Sequence, residues 1–328
     1  MPEIIRIPLP STTPNDTVNM YLIKDDPLTL VDAGFNNSVT RQRLAAALET
    51  EGLTLKDIRR VALTHTHPDH VGMAAALQRT AGAEVYLHPR EWGKIKAGTA
   101  DNNHILRWAG VPPEVLPAIR SGPAEPPYPN PVHCLDEGDT LPFAGTNLHV
   151  LHLPGHSSGL IAFYAPSAGI IFTGDHLVSN FPPALLVEPD PAGAGRTASY
   201  DEYFRSLRRL EDLPLRHVYP GHGDPFTAWR EGIRRLYAYH SRKLAKLRDR
   251  LGDRPKTAFT LQQELSPGQR GFIVFFAVGD TIAHLDKLVA RGEAAVVEED
   301  GVLYYRRRDD NSRRIRKPVT GILTADGH

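Results

Sequence analysis

The segment Thr64–His70 constrains this chain more than any other part of its sequence. It reads THTHPDH, so three imidazoles and one carboxylate, all metal-binding groups, lie within positions 65–70. An apolar, β-branched run precedes the segment and helical spacing follows it, which predicts a loop between a strand and a helix. Ordering these polar groups side by side costs entropy, and their mutual contacts return little without a cation. The segment therefore predicts a divalent metal site beside a strand end.

Three further candidate ligands follow later strands, each directly after a glycine. His156 stands in LPGHSSG, Asp175 in FTGDH and His222 in YPGHGD. Glycine lets the backbone turn sharply, and strand ends in α/β folds meet at a common edge of the sheet. Four loops thus supply enough ligands for two metal ions. The full candidate set is His65, His67, Asp69, His70, His156, Asp175 and His222.

Strands and helices alternate through the first two thirds of the chain, which predicts an α/β fold. Apolar runs closed by turn residues predict strands at 17–23, 28–34, 59–65, 83–89, 147–155, 169–175 and 216–224. Helical spacing predicts helices at 38–51, 71–81 and 200–213. Residues 91–133 and 180–199 interrupt the pattern. We expect these two segments to form substrate walls, with Phe181, Arg196 and Tyr200 as candidate contacts.

The pattern changes near Trp229, which predicts a catalytic unit at 1–228 and a second unit at 229–328. Helical spacing at 230–250 and within 260–290 is followed by two β-prone runs around Asp300–Gly301, a pair that favours a two-residue hairpin. This order is typical of a small winged-helix-like module. Residues 1–225 carry 18 basic and 25 acidic side chains, whereas 226–328 carry 20 and 13 and include a basic tail, 306–317. The excess of basic charge is compatible with a surface for nucleic acid or another polyanion, and the alternative is an ordinary solvated helix face.

Composition excludes several classes of protein. With 328 residues, 41% hydrophobic and 23% charged, the chain can bury a core and does not have the composition of a disordered protein. It contains no apolar run long enough for a membrane span, and its first residues lack the pattern of a secretory signal. The single cysteine, Cys134, cannot form an intramolecular disulfide. We therefore expect a cytoplasmic protein without membrane contact.

One motif favours a different chemistry. Residues 155–159, GHSSG, fit the G-x-S-x-G pattern of serine hydrolases, and Asp175 and His222 follow in the order of their triad. A serine nucleophile would leave the metal-binding groups at 65–70 without a role, whereas a metal site uses all of them. The metal interpretation is therefore preferred.

These motifs together resemble the metallo-β-lactamase superfamily over residues 3–225. The resemblance rests on the H-x-H-x-D-H box at 65–70, on the single His, Asp and His motifs at 156, 175 and 222, and on the early turn Val31–Gly34. It implies an αββα sandwich of two mixed sheets with metal ions at one edge. It also implies two ligand sets: His65, His67 and His156 for one ion, Asp69, His70 and His222 for the other, and Asp175 bridging both. Asp32 would hold the ligand loop through hydrogen bonds.

The resemblance also separates subgroups of the superfamily. Zinc β-lactamases generally lack the bridging aspartate, so Asp175 argues against β-lactam hydrolysis, and flavodiiron proteins carry glutamate where this chain has His67. The 46 residues between Asp175 and His222 are too few for the inserted cap of the nucleases. What remains resembles glyoxalase II-like hydrolases, most closely the branch with a C-terminal winged helix. That branch includes endoribonucleases and thioesterases acting on carrier-bound acyl chains.

We therefore expect a binuclear metal-dependent hydrolase of a thioester, ester or lactone, carried on a small molecule or a carrier. A hydroxide bridging two cations would attack the carbonyl, because metal ions ionise water near neutral pH. Asp69 and Asp175 are the candidate catalytic residues, and Asp69 is also a candidate proton carrier. Zn²⁺ is the expected ion, with Mn²⁺ or Fe²⁺ as alternatives. The alternatives for function are cleavage of single-stranded RNA and a non-enzymatic DNA-binding sensor, and the chain could form a homodimer.

Overall fold

Two sheets form the body of the molecule. The computed structural model describes residues 2–11, 16–97, 103–119, 128–190 and 195–308. The first sheet contains, in spatial order, β1 (Glu3–Pro10), β2 (Thr17–Lys24), β3 (Thr29–Val31), β4 (Arg60–Ala62), β5 (Glu84–Leu87) and β6 (His133–Cys134). Strands β1 to β3 are antiparallel, and β3 to β6 are parallel. The helices between these strands are α1 (Ser38–Thr50), α2 (Pro68–Val71) and α3 (Ala74–Ala81), after which come α4 (Pro89–Ala97), α5 (Asn103–Trp108) and α6 (Leu116–Ile119).

The second sheet packs face to face against the first. Its strands are β7 (Thr140–Pro142), β8 (Asn147–His152), β9 (Ile161–Ala165), β10 (Ile170–Gly174) and β11 (His217–Pro220), in the order β11-β10-β9-β8-β7. Only β10 and β11 are parallel, and helix α7 (Ser199–Glu211) connects them. Tyr21 and Val31 of the first sheet share a buried cluster with Phe163 and Phe172 of the second. Leu44 of α1 and Leu77 of α3 pack on the outer face of the first sheet, so the expected αββα sandwich is confirmed.

The C-terminal elements cover the outer face of the second sheet. They are α8 (Trp229–Arg250), β12 (Lys256–Thr257), α9 (Ala258–Leu265), α10 (Ile273–Ala290), β13 (Ala294–Glu299) and β14 (Val302–Arg307), with the strands in a small antiparallel sheet. The expected hairpin is confirmed, since Asp300 (φ 50°) and Gly301 (φ 77°) form its left-handed turn. Leu207 of α7, Ile233 of α8 and Leu285 of α10 belong to one buried cluster. Within the described residues, then, the core continues across position 228, and most of the basic tail at 306–317 lies outside them.

Most of the predicted elements are present. Helices α1, α3, α7 and α8 begin and end within three residues of the predicted bounds. The pattern search missed β1, which contains two prolines, and β9, whose run IAFYA is buried on both faces and so does not alternate. Within the described residues, no helix is both long and apolar enough to cross a membrane.

Candidate metal centre

Four loops meet at one edge of the sandwich, and backbone hydrogen bonds tie them in pairs. The amide of Ile161 donates to the carbonyl of Thr64 (2.9 Å), which joins the loop after β4 to the start of β9. The amide of Gly221 donates to the carbonyl of Gly174 (2.8 Å), which joins the loops after β10 and β11. Gly221 must be glycine because a Cβ there would overlap Asp175 Oδ1 and lie 2.8 Å from His70 Cε1. The tight backbone approach thus brings the candidate ligands together.

The first group of side chains consists of three imidazoles and a carboxylate. His67 Nδ1 lies 3.0 Å from His65 Nε2 and 3.0 Å from His156 Nε2. Asp175 completes the group, whose ligand atoms all lie within 4.8 Å of one another, and all four residues are buried. These are the three imidazoles that the family resemblance implies for one ion, together with the aspartate that it implies as the bridge.

The second group lies against the same aspartate. Asp69, His70 and His222 also bring their ligand atoms within 4.8 Å of one another. Asp175 Oδ1 is 3.3 Å from His70 Nε2, while its Oδ2 is 3.3 Å from His222 Nε2 and 3.5 Å from His156 Nε2. The carboxylate of Asp175 therefore stands between the two groups.

In four of the histidines, Nδ1 points away from the cluster and contacts a hydrogen-bond partner outside it. His70 Nδ1 donates to Asp32 Oδ2 (2.9 Å) and His222 Nδ1 donates to Asp16 Oδ2 (2.8 Å). His156 Nδ1 donates to the carbonyl of Ala184 (2.8 Å), and His65 Nδ1 lies 3.1 Å from the Thr64 hydroxyl, which itself donates to Asp32. A proton on Nδ1 leaves Nε2 with a free electron pair, and in these residues Nε2 faces the cluster.

The donor set fits metal ions. The nitrogens His65 Nε2 and His156 Nε2 both lie 3.0 Å from His67 Nδ1. A single proton on His67 Nδ1 could form a good hydrogen bond with only one of them, whereas a metal ion would bind all three nitrogens. His70 Nε2 and Asp175 Oδ1 are buried without a hydrogen-bond partner among the described residues. Such orphaned atoms are costly in a folded protein unless an ion or another ligand satisfies them.

Burial keeps the three imidazoles of the first group uncharged, which is the form that binds a metal ion. It lowers the pKa of His65 well below the ordinary range and that of His67 to about 3, and it also lowers the pKa of His156. The neighbouring imidazoles add to the effect because two cationic rings would repel each other. These rings are therefore neutral at physiological pH, as metal binding requires.

In the second group, neighbouring charges shift the histidine pKa values in the opposite direction. Burial alone would lower the pKa of His70 and of His222, but the facing carboxylates, above all Asp175, raise both pKa values well above the ordinary range. Burial would likewise raise the pKa of Asp175, yet His222 and His70 hold it well below its usual value. A cation that binds these two nitrogens must displace protons, so its affinity falls as the pH falls.

Sequence reasoning missed several residues that hold the ligand loops. Asp16 precedes β2 without any motif, and no local signal marks it as the partner of His222. Asp32, which the sequence identified, accepts from the Thr64 amide (2.8 Å) and thereby holds the 65–70 loop as expected. Its own backbone has a positive φ of 57°, which is uncommon outside glycine.

A buried network from α4 supports the loops on the other side. Glu91 accepts from the Thr66 amide (3.1 Å) and from the Ser157 hydroxyl (2.5 Å), so it touches the residue between two candidate ligands and the residue after a third. Lys94 pairs with Glu91 (2.7 Å) and with Glu188 (2.9 Å). Burial lowers the pKa of Lys94, but the two carboxylates outweigh it and raise the pKa.

This network removes the serine alternative. The Ser157 hydroxyl lies between Glu91, Lys94 and Glu188 rather than against an imidazole. A protonated lysine cannot act as the general base that a serine nucleophile needs. The G-x-S-x-G match therefore describes a structural turn.

Aromatic side chains flank both groups. The ring of Phe181, 37% exposed, lies 5.5 Å from the His222 ring, and the half-buried Phe276 of α10 lies 6.2 Å from the His67 ring. Phe276 was not identified from the sequence. Arg196 and Tyr200, the other two expected contacts, instead face the C-terminal helices: Arg196 pairs with Asp286 of α10 (2.9 Å), and the buried Tyr200 lies against His284.

Comparison with known proteins gives consistent matches. The family model of the metallo-beta-lactamase superfamily matches residues 13–222. "Probable metallo-hydrolase YqjP" of Bacillus subtilis (strain 168) is 30% identical over 314 residues, which cover 93% of this chain and 98% of the relative. A hydroxyacylglutathione hydrolase of Albidiferax ferrireducens is 26% identical, covering 80% of this chain and 84% of the relative. An acyl-coenzyme A thioesterase of Gallus gallus is 29% identical, covering 70% and 78%.

A solved structure agrees over nearly the whole chain. A metallo-beta-lactamase family protein from Thermus thermophilus superimposes with a TM-score of 0.78 at 32% identity, covering 93% of this chain and 98% of that one. The match therefore includes the C-terminal helices as well as the sandwich. With two groups of imidazoles and carboxylates at the edge of an αββα sandwich, this chain belongs to the metallo-β-lactamase superfamily.

Proposed function

We propose that this protein is a binuclear metal-dependent hydrolase of acyl thioesters. The observation that carries the proposal is the position of Asp175 between two groups of ligand atoms, each of which is tight enough for one ion. The names of two relatives support the substrate class, because hydroxyacylglutathione and acyl-coenzyme A are both thioesters. Esters and lactones share the same acyl carbonyl and form the wider substrate class.

Each group would hold one ion, as the family resemblance implies. One ion would bind to His65, His67 and His156, the other to Asp69, His70 and His222, and Asp175 would be a ligand of both. Bound divalent cations supply Lewis-acid chemistry, which lowers the pKa of water and polarises a carbonyl. Zn²⁺ is the proposed ion, with Mn²⁺ or Fe²⁺ as alternatives that imidazole and carboxylate ligands also accept.

Asp69 has a second role in this proposal. Its Oδ2 lies 3.4 Å from His222 Nε2, and the side chain is 22% exposed, more than any other candidate ligand in its group. Burial would raise the pKa of Asp69, but His70 and His222 lower it to about 2, so the carboxylate is ionised. Its other oxygen, Oδ1, would accept the proton that the attacking water loses and pass it to the leaving thiolate.

The aromatic rim gives the acyl group a place to bind. Phe276 of α10 and Phe272, which directly precedes this helix, pack edge to face with ring centres 5.2 Å apart, and neither is fully buried. The adjacent Ile273 is 48% exposed. An apolar acyl chain that covers this surface removes it from water, which favours binding.

Three further sequence expectations remain part of the proposal. They are the winged-helix-like character of 229–328, the boundary at 228 and the cytoplasmic location. The order of helix, helix and hairpin supports the first of these. The names of the reported relatives do not support RNA cleavage or a homodimer, so neither is proposed.

The test combines metal analysis with a substrate panel. The chain is stripped of metal, loaded with Zn²⁺, and offered acyl-glutathione and acyl-coenzyme A thioesters, an oxygen ester, a lactone and a single-stranded RNA. We expect two ions per chain and fastest turnover of a thioester. His67→Ala should lose one ion and at least ~100-fold in rate, whereas His217→Ala, an exposed histidine of β11, should retain both. Turnover of RNA alone, or full activity of His67→Ala, would contradict the proposal.

A further inference from the structure

The peptide bond between Ala184 and Leu185 lies between a candidate metal ligand and helix α10. Its carbonyl accepts a hydrogen bond from His156 Nδ1 (2.8 Å), and its N–H donates to Asp280 Oδ1 (3.0 Å). His156, Leu185 and Asp280 are all buried, so water does not compete strongly for these bonds. One peptide unit thus connects an imidazole of the first group to a carboxylate of the C-terminal helices.

Asp280 is held firmly in this position. Its Oδ2 accepts from Lys243 Nζ of α8 (2.6 Å), while its backbone carbonyl accepts from His284 Nδ1 (2.6 Å). Burial would raise the pKa of Asp280, but Lys243, His284 and His240 outweigh it and hold the pKa well below its usual range. The group that faces the Leu185 amide is therefore an ionised carboxylate.

His240, Asp280 and His284 are close enough to suggest a further metal site, but their contacts argue against one. The ammonium group of Lys243 already occupies Asp280 Oδ2, and it would repel a cation at that point. His284 uses Nδ1 for the carbonyl of Asp280 and shares Nε2 with His240 Nδ1 (3.0 Å). The cluster is a hydrogen-bonded network whose free carboxylate oxygen faces the 184–185 peptide.

We infer that Asp280 is a positioning residue for His156, acting through the Ala184–Leu185 peptide. His70 and His222 donate directly to carboxylates, Asp32 and Asp16, whereas His156 donates to a carbonyl. A peptide group whose N–H binds a carboxylate is polarised, so its carbonyl becomes a stronger acceptor. Asp280 thereby orients the His156 ring and raises the basicity of Nε2, as a directly bonded carboxylate would.

The inference makes the C-terminal helices a part of the metal centre. Helices α8 and α10 supply Lys243 and Asp280, and neither residue touches the ligand groups directly. The inference rests on the proposed metal site, but it does not depend on the identity of the substrate.

Two double variants test this role. Asp280→Asn with Lys243→Gln removes both charges but keeps an acceptor for the Leu185 amide, whereas Asp280→Leu with Lys243→Met removes the acceptor as well. Asp286→Asn, which breaks a different ion pair of α10, controls for general damage to the helix. Zinc affinity is measured on stripped protein by competition with a chromogenic chelator. We expect one of the two zinc equivalents to bind about 10-fold more weakly in the Leu/Met variant and about 3-fold more weakly in the Asn/Gln variant, within the range for outer partners of metal ligands.

A spectroscopic measurement separates positioning from stability. The Nδ1 proton of His156 should give a strongly downfield NMR signal in the wild type, because it lies in a short hydrogen bond. The signal should move upfield in the order wild type, Asn/Gln, Leu/Met, and Asp286→Asn should leave it in place. The Asn/Gln variant keeps the test decisive even if the Leu/Met variant does not fold.

The outcomes also separate this inference from the proposed function. Unchanged zinc affinity and an unshifted His156 signal in a folded Asn/Gln variant would overturn the positioning role, even if thermal stability fell. A wild-type chain that binds two zinc ions but hydrolyses no thioester would overturn the proposed function alone.

Discussion

Two glycines beside the candidate ligands leave no space for a larger side chain. Gly174 adopts a positive φ of 50°, and a Cβ there would lie 2.8 Å from Thr64 Cβ, so this position is restricted by both conformation and space. At Gly221, a Cβ would overlap Asp175 Oδ1. The glycine before each later ligand was visible in the sequence, but the atom that each one avoids was not.

Gly221→Ala should disrupt the metal centre. The added methyl group would displace Asp175 and His70, which face both ligand groups, so we expect fewer than one zinc ion per chain and a loss of at least ~100-fold in activity. Elemental analysis and steady-state rates measure these effects. Gly252→Ala is the control, because a Cβ there meets no atom within 4 Å. Two bound ions in Gly221→Ala would contradict the prediction.

Asp16→Asn should weaken one ion selectively. The change removes the charge that His222 Nδ1 faces, and removal of such a partner reduces metal affinity by roughly 10- to 100-fold. Zinc titration should therefore show one weakened equivalent and one unchanged equivalent. Asp224→Asn, an exposed partner of Arg6, should leave both equivalents unchanged. Equal weakening of both ions would show that Asp16 does not act through His222.

Phe276→Ala should reduce the preference for long acyl chains. The ring flanks His67, and each methylene that an acyl chain buries there is worth at most about 0.8 kcal/mol. We expect the ratio of kcat/KM for octanoyl over acetyl thioesters to fall about 5-fold. Phe259→Ala removes a half-buried ring from α9 and should not change the ratio. A ratio that stays constant in Phe276→Ala would place the acyl chain elsewhere.

Among the helices and strands, α4 has a role that no sequence pattern predicted. Its residues 91 and 94 fall in a segment that the sequence assigned to a substrate wall, yet they form a buried ion network beneath two ligand loops. Glu91 and Glu188 are 97 positions apart in the chain, so no local pattern pairs them. Helices α1 and α7 were predictable because each buries one face at helical spacing.

Low pH should destabilise the fold, partly because the Glu91 carboxylate becomes protonated. Burial would raise its pKa, but Lys94 and the hydrogen bonds from Ser157 and Thr66 lower it to about 2, against 4.5 ordinarily. A carboxyl with a lowered pKa in the folded state contributes stability above its unfolded pKa and loses it as the pH falls toward 2. The contribution is of order 3 kcal/mol.

Urea unfolding of the metal-free protein between pH 6 and pH 2.5 measures this effect. Glu91→Gln should be less stable than wild type at pH 6, and the difference should shrink as the pH falls, because the wild-type carboxyl then approaches protonation. Glu49→Gln, an exposed change on α1, should follow the wild-type curve. A constant difference across this range would exclude titration of Glu91 as the cause.

At the scale of the whole molecule, one buried cluster connects the sandwich to the C-terminal helices. It includes Leu207 and Val218 of the first 228 residues and Ile233 and Leu285 of the remainder. The indole N–H of Trp229 also donates to the carbonyl of Leu215 (3.0 Å) across the predicted boundary. The predicted boundary at 228 therefore lies inside one continuous buried cluster of the described residues.

A chain that ends at residue 228 should therefore fail to fold cooperatively. It would expose the apolar side of α7 and lose Asp280, which binds the loop beside His156. Circular dichroism during heating should show no sharp transition, and zinc titration no stoichiometric binding. The full-length protein is the reference and should show one sharp transition. A sharp transition in the shorter chain would show that the sandwich folds alone.

The amino-acid sequence by itself determined the fold class and the candidate ligands. Strand ends, turn glycines and helical spacing are local features, and the candidate ligands lie beside them, so these seven side chains could be named without coordinates. Apart from Asp32, the groups that hold those side chains in place were decided only by the tertiary structure. Asp16, Glu188 and Asp280 lie tens to hundreds of positions from the residues they support, and hydrogen bonds over such separations depend on packing that no local pattern records.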